Sequence, residues 1–176
     1  MKARDIVKAI RMKHRKTAAF VPEITLTDDY YRQTVLRQNP QYEAYARRKG
    51  LLDADYVAED DYDVEKGKYA RRIDLLMLDN QKWTAIEIKV SRADFFRDTA
   101  EKRRVWKDHS HRFIYATPQG LVTAEEIPDG CGWWEITPTG RVVVSKKARV
   151  NKERREFPDS FVRTLFWRLA TIKQAP

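Results

Sequence analysis

The sequence has very little cysteine and no long apolar run. Its single cysteine, Cys131, excludes a disulfide framework within the chain and a cysteine-rich zinc site. No run approaches the roughly 18 to 20 apolar residues that a membrane-spanning helix needs. The basic N-terminus lacks the apolar core of a secretory signal. We therefore expect a cytoplasmic protein with no membrane partner.

The positive charge is concentrated near the two ends of the chain. The formal net charge of +9 comes from 35 Lys and Arg against 26 Asp and Glu. One basic block covers residues 1–16, a second covers residues 141–155, and an acidic block lies between them at residues 53–65. Such polarity favours a polyanionic partner, with the basic helix and tail holding its backbone. Charge blocks that only keep the protein soluble are the alternative.

The hydrophobic periodicity predicts an α/β domain with a central mixed β-sheet flanked by helices. We expect helices over residues 3–14, 91–108 and 158–172. We expect strands over residues 20–26, 72–78, 83–90 and 112–116, and two more within residues 132–144. Residues 27–70 lack a clean period apart from one helix between Asn39-Pro40 and about Gly50, so they predict an inserted helical and loop excursion. Residues 141–176 form a basic C-terminal extension of the single domain 1–176.

Two of these strands, 72–78 and 83–90, predict a β-hairpin that brings two carboxylates together. A turn centred between Asn80 and Gln81 places Asp74 directly opposite Glu87. Their Cβ atoms would then lie about 5 Å apart, where like charges repel. The period of two puts Lys89 on the same face as Glu87. A hard divalent cation such as magnesium would relieve the repulsion, because it prefers carboxylate oxygens.

This grouping points to metal-dependent hydrolysis of phosphodiester bonds. A metal held by Asp74 and Glu87 can bind a scissile phosphate oxygen and lower the pKa of a bound water. Lys89 would position the attacking water and offset the charge that develops on the phosphate. The plain alternative is an amphipathic strand in which Asp74, Glu87 and Lys89 form ordinary surface ion pairs.

Asp74, twelve intervening residues and then Glu87-Ile88-Lys89 resemble the D-x(n)-(D/E)-x-K core of the PD-(D/E)xK nuclease superfamily. Ile73 stands where that family usually has a proline, which is not a ligand. More narrowly, the runs RRIDLLML, IEIKVSRADFFRD, HRFIYATP and IPDGCGWWEI are similar to the MmcB-like DNA repair protein family, and the earlier PEITL matches the strand that precedes its core. The resemblance covers residues 19–26 and about 71–136.

The resemblance implies a restriction-endonuclease-like fold, with magnesium or manganese as the cofactor. It implies a metal site made of Asp74, Glu87 and the backbone carbonyl of Ile88, with the acid Glu23 of the first strand as a candidate fourth ligand. It leaves the substrate open, because members of the superfamily cut, repair or merely bind nucleic acids.

Polar and basic residues around the triplet are the predicted contacts to nucleic acid: Arg72, Ser91, Arg92, Arg97, Arg103, Arg104 and Lys107. For Ser91, capping of the following helix is the competing interpretation. The neighbours Trp133 and Trp134 should face opposite sides of their strand, where one could stack on a base or pack in a second layer. A homodimer is a further expectation, because small nucleases commonly pair to cut two strands.

Three hypotheses follow. The first is a metal-dependent nuclease that acts on DNA in repair, recombination or the processing of phage or mobile-element DNA. The second is a catalytically inactive accessory factor that keeps the fold and binds nucleic acid. The third is an interaction protein whose acidic insertion engages a basic partner.

Overall fold

The computed structural model describes residues 1–28, residue 44 and residues 70–172, with side chains described as far as residue 170. The elements in chain order are α1 Ala3–His14, β1 Ala18–Thr27, β2 Ala70–Asp79, β3 Lys82–Ile88, α2 Arg92–Phe96, α3 Ala100–His109, β4 Arg112–Pro118, β5 Gly132–Ile136, β6 Val142–Lys146 and α4 Asp159–Ile172. Within these described stretches, every helix is too short or too polar to cross a membrane.

The six strands form one sheet in the order β1-β2-β3-β4-β5-β6. β2 and β3 pair antiparallel, β3, β4 and β5 run parallel, and β5 and β6 pair antiparallel. Helices α2 and α3 form the crossover that a parallel β3–β4 pair requires. The predicted α/β class, with a mixed sheet flanked by helices, is therefore confirmed.

The β2–β3 hairpin has the predicted register. Asn80 and Gln81 have φ angles of 46° and 62°. A positive φ at both central residues is the geometry of a type I′ turn, whose twist matches that of antiparallel strands. The pairing runs from Asp79 opposite Lys82 to Leu75 opposite Ile86. Strand β3 ends at residue 88, two residues before the predicted end, because the chain turns there into α2.

Helix α1 covers one face of the sheet. Its residues Ile6, Ala9 and Ile10 join a buried cluster with residues from five strands, namely Leu75, Met77, Ile86, Ile88, Ile114, Ala116, Trp134, Ile136 and Val142. Because side chains alternate along a strand, Asp74 and Glu87 belong to the opposite face. The face of the sheet that α1 covers is therefore the one opposite these carboxylates.

The prediction of one continuous helix over residues 91–108 is wrong, because the structure has two shorter helices there, α2 and α3. Thr99 caps α3 by accepting a hydrogen bond of 3.3 Å from the backbone N–H of Lys102. The carboxylate of Asp98 turns inward to the hydroxyl of Tyr115 and the guanidinium of Arg103. The Thr99 cap satisfies a backbone N–H of a new first turn, so a second helix begins there instead of a continuation of the first.

The chain divides into two compact units, one of Met1–Thr25 with Arg72–Pro176 and the other of Leu26–Arg71. Most of the insertion expected at 27–70, including the helix after Asn39-Pro40, lies outside the described residues. The stretch 141–176, interpreted as an extension, contributes β6 to the sheet and α4 to the first unit. Within that unit Phe161 of α4 is buried, and its ring centroid lies 5.9 Å from that of Trp106.

Candidate active site

Asp74 and Glu87 meet at the end of the β2–β3 ladder. They occupy the positions next to the Leu75–Ile86 pair, so the same register brings them side by side. The backbone N–H of Ile88 donates a hydrogen bond of 2.8 Å to Oδ2 of Asp74. This bond ties the carboxylate of β2 to the backbone of β3 and orients it on the side of Glu87.

Lys89 is a buried cation between two carboxylates. Its side-chain Nζ lies 2.9 Å from Oε1 of Glu87 and 3.8 Å from Oδ2 of Asp94. The residue is only 7% exposed. Its backbone N–H donates to the carbonyl of Ala116 on β4 at 3.0 Å, which holds the chain beyond the end of β3. An ammonium group this buried needs such partners, because an unpaired buried charge is costly.

The electrostatics keep Lys89 protonated. Burial alone would lower the pKa of the Lys89 amine, but Glu87 and then Asp94 more than offset it, so the pKa is raised. A lysine with a raised pKa is a poor general base near neutral pH. It serves as a fixed positive charge and a hydrogen-bond donor.

The two carboxylates hold their protons more tightly than exposed acids do. Burial raises the pKa of Asp74, while the Ile88 hydrogen bond and the Lys89 charge oppose the rise. Burial and repulsion from Asp74 raise the pKa of Glu87 to about 7, although Lys89 opposes this too. The single buried cation therefore does not neutralise the pair, and a further positive charge would stabilise both ionised groups.

The donor set fits a hard divalent cation. In extended backbone the N–H and the C=O of one residue point to the same side of the strand. The N–H of Ile88 donates to Asp74, so the carbonyl of Ile88 points toward the same side of β3. Two carboxylates and one carbonyl suit magnesium, which usually keeps several waters and takes one or two carboxylates from the protein.

Glu23, the fourth ligand of the predicted site, does not join this group. Among residues 1–28 and 70–172, no three His, Cys, Asp or Glu side chains come close enough together to hold a metal. Glu23 is exposed, and its φ of 47° places it in the left-handed region. An alternating strand does not predict such a backbone, which breaks the regular alternation of side chains at that point.

Four of the seven predicted nucleic-acid contacts, Arg72, Ser91, Arg92 and Arg97, are exposed on the described surface. Arg72 lies two residues before Asp74 on β2, so it shares the sheet face of that carboxylate. The side chain of Arg97 is 77% exposed and lies 3.7 Å from Asp94. Ser91 is exposed too, but its hydroxyl caps α2 by accepting a bond of 3.2 Å from the N–H of Asp94. The capping interpretation of Ser91 is therefore confirmed.

The exposed Arg92 is engaged by other groups of the protein, and the remaining three predicted contacts are half-buried. Arg92 forms a two-pronged ion pair with Glu126 and also donates to the carbonyl of Leu121. Arg103 pairs with the buried carboxylate of Asp98 at 3.3 Å. A separate bond of 3.2 Å joins the ammonium of Lys107 to the carbonyl of Asp129. Arg104 is half-buried.

A buried polar network beside Glu87 was missed by the sequence analysis. Tyr115 on β4 lies opposite Glu87 in the parallel pairing, and its hydroxyl donates to Oδ2 of Asp98. Arg103 donates to the same carboxylate oxygen and, at 3.4 Å, to the Tyr115 hydroxyl. Burial first, and then Asp98, raise the pKa of Tyr115. The signals in the sequence were a tyrosine within an apolar strand and an aspartate within a predicted helix.

The two adjacent tryptophans are both buried, which confirms the second packing layer. Trp134 joins the cluster beneath α1, and its ring stacks on His14 with centroids 5.4 Å apart. Trp133 faces the other side of the sheet, where its indole N–H donates to the Thr117 hydroxyl at 2.9 Å. Neither ring offers a large exposed surface for stacking on a base.

Comparisons with known proteins add little. No family model matches the chain, and no curated protein matches it. Among solved structures, the chain is similar to a protein of unknown function from Silicibacter pomeroyi, with a TM-score of 0.44 and 23% identity. The match covers 58% of this chain and 65% of that protein, which is less than two thirds of its length.

Proposed function

We propose that this protein is a metal-dependent nuclease of the PD-(D/E)xK superfamily, close to its MmcB-like members and with a restriction-endonuclease-like fold. Its proposed reaction is the hydrolysis of phosphodiester bonds in DNA, during repair, recombination or the processing of phage or mobile-element DNA. One observation carries the proposal: Asp74 and Glu87 occupy the positions next to the Leu75–Ile86 pair on neighbouring strands, with the buried Lys89 ammonium 2.9 Å from Glu87.

The carboxylates of Asp74 and Glu87, with the Ile88 carbonyl, would hold magnesium or manganese. When bound, such an ion supplies Lewis acidity to a phosphate oxygen and acidifies a bound water. Lys89 donates hydrogen bonds toward the attacking water and offsets the negative charge that develops on the phosphate. The Ile88 N–H keeps the Asp74 carboxylate oriented for this purpose.

The charge balance favours this function over a structural ion pair. A structural pair needs one cation for one carboxylate, whereas Lys89 faces both Glu87 and Asp94 and also acts on Asp74. Unmatched buried carboxylates cost stability, so a fold keeps them where their ionised form has a use. The pKa of Glu87, raised to about 7, is typical of such a site.

A second candidate is the accessory factor that binds nucleic acid without cutting it. A specific observation favours it, since protein donors already engage Oε1 of Glu87 and Oδ2 of Asp74. These bonds compete with a metal for the same oxygens. In that case the exposed cations Arg72 and Arg97 would still attract DNA.

Cleavage of end-labelled single-stranded, duplex and branched DNA tests the proposal. The substrates are incubated with manganese or with EDTA, using the wild type, Lys89→Ala and the control Lys102→Ala, which removes an exposed lysine. We expect metal-dependent cutting that Lys89→Ala reduces by roughly 100-fold or more, while the control retains it.

Two results would contradict the proposal. Cutting that persists in EDTA, or that is equal in folded Lys89→Ala, would show that this site is not the source of the activity. Salt-sensitive DNA binding by the wild type with no cutting under any condition would identify the accessory factor.

A further inference from the structure

Phe96 presents an exposed aromatic ring on α2, the helix that follows the candidate active-site strand. It is 56% exposed, whereas its neighbour Phe95 is 5% exposed. The two rings meet edge to face with centroids 5.3 Å apart. Phe95 in turn packs on Tyr115, with centroids 5.1 Å apart. One phenylalanine of α2 therefore anchors the helix to the sheet, while the next faces solvent.

The Phe96 ring is held in place. The guanidinium carbon of Arg92 lies 5.0 Å from the centre of the Phe96 ring, within the range of a cation–π contact. Arg92 is itself fixed by the Glu126 carboxylate and by a bond of 3.0 Å to the carbonyl of Leu121. A ring oriented in advance loses less entropy when a ligand stacks on it, so it is better suited to binding than a mobile side chain.

The ring is also close in sequence to the reactive groups. Asp94, on the same short helix, lies 3.8 Å from the Lys89 ammonium. The exposed side chain of Arg97 follows Phe96 directly and lies 3.7 Å from Asp94. Val90, which follows Lys89, is 40% exposed and adds apolar surface. An exposed aromatic ring, an exposed cation and a candidate phosphate site thus occur within a few residues of one another.

We propose that Phe96 is a stacking platform for an unpaired base, so that the protein prefers single-stranded or locally unpaired DNA. This inference rests on the proposed function, because that function defines where the reacting phosphate lies. In a duplex each base is covered by its neighbours, whereas in a single strand its face is accessible to an aromatic side chain. Arg97 complements the backbone charge next to the stacked base.

The chemistry of the patch favours a nucleobase over an apolar protein segment. The exposed ring is bordered by two arginines, Arg92 and Arg97, which would need to be desolvated under an apolar partner. A nucleotide instead offers a π-face to the ring and a phosphate to a guanidinium. Stacking of this kind tolerates any base, because every base has such a face.

Binding of one labelled oligonucleotide as a single strand and as a duplex tests the inference. Fluorescence anisotropy in EDTA gives the dissociation constants for the wild type, Phe96→Ala, Phe96→Leu and Phe96→Trp. The control Phe166→Ala removes another exposed ring, on α4. We expect Phe96→Ala and Phe96→Leu to weaken single-strand binding by roughly 5- to 100-fold, while Phe96→Trp and the control retain it. Duplex binding should change by less than about twofold.

A base analogue reports the stacking itself. Fluorescence of 2-aminopurine in the single strand should change on binding to the wild type, and less so with Phe96→Leu, which keeps apolar volume but has no ring. Equal single-strand affinity of all four proteins would overturn the inference. So would an equal loss of single-strand and duplex binding, or wild type that binds no DNA.

The two proposals can fail separately. Binding is measured in EDTA, so a wild type that binds single strands through Phe96 but never cuts would refute the nuclease and leave the stacking platform in place. The reverse case is metal-dependent cutting that needs Lys89 but proceeds equally well in Phe96→Ala, with an unchanged affinity for single-stranded DNA. That result would refute the stacking platform and leave the nuclease in place.

Discussion

The backbone N–H of Ile88 donates a hydrogen bond of 2.8 Å to the carboxylate of Asp74. One residue further, the N–H of Lys89 donates in the opposite direction, to the carbonyl of Ala116. The end of β3 is thus held on both sides, by a side chain of β2 and by the backbone of β4. This clamp sets the direction of Glu87 and Lys89, which lie on either side of Ile88.

Glu87→Gln should remove a pH dependence of stability. The pKa of Glu87 is about 7 in the folded protein against an ordinary value of 4.5, so the folded state keeps its proton to higher pH. The free energy of unfolding should therefore fall as pH rises from about 4.5 to about 7, by about 3 kcal/mol. Urea unfolding in EDTA at several pH values measures the difference between wild type and variant.

The exposed Glu156→Gln is the matched control, because it removes a carboxylate with the same substitution. A difference between wild type and Glu87→Gln that stays constant across this pH range would contradict the raised pKa.

Magnesium or manganese should raise the melting temperature of the wild type at pH 8, where Glu87 is ionised. An ion at a hundred times its dissociation constant stabilises the folded state by about 3 kcal/mol. Asp74→Asn should abolish the shift, because it removes one of the two carboxylates, and Glu156→Gln should retain it. Differential scanning calorimetry in EDTA and in metal gives the result. A shift of equal size in Asp74→Asn would rule out a metal at this site.

Tyr115→Phe should destabilise the fold although the ring is kept. The carboxylate of Asp98, 8% exposed, would lose the hydroxyl donor and keep only Arg103. A buried acceptor that loses a partner costs about 1 to 3 kcal/mol. Ser145→Ala breaks a similar hydroxyl–carboxylate bond, to Glu135, at an exposed position and should change stability by less than about 0.5 kcal/mol. Equal effects in the two variants would show that burial of the network is unimportant.

Gln81→Gly should stabilise the hairpin that carries Asp74 and Glu87. Gln81 has a φ of 62°, which costs a residue with a side chain about 1 kcal/mol and costs glycine nothing. Gln119→Gly, outside the left-handed region, should instead destabilise, because glycine adds entropy to the unfolded chain. Chemical denaturation of both variants tests the pair, and loss of stability in Gln81→Gly would contradict the strained-turn explanation.

Local patterns were sufficient for part of this structure. Helix α1 has the predicted bounds, because its apolar spacing and its flanking residues act within one or two turns. The hairpin register followed from a two-residue turn and the alternation of the strands. Both features depend on residues close in sequence, and the pairing of Asp74 with Glu87 depends on them as well.

Distant contacts decided the rest. Asp98, between α2 and α3, turns toward Tyr115 of β4, a contact that local patterns do not predict. The same contact draws Arg103 into the interior, although in the sequence it resembled the exposed cations around it. Sequence periodicity predicts that a charged residue lies on the polar face of a helix, but it does not predict which charged side chain forms a buried ion pair.

The sequence by itself determined the α/β class, the β2–β3 register and the grouping of Asp74, Glu87 and Lys89 at one strand end, since each follows from the period of a strand and the geometry of one turn. Only the tertiary structure decided that α1 covers the sheet face opposite Asp74 and Glu87. It also decided that Glu23 does not join these two acids and that Phe96 is exposed to solvent. Alternation defines two faces of a sheet, but it does not specify which helix packs on each. That choice depends on the burial of apolar surface by the whole chain.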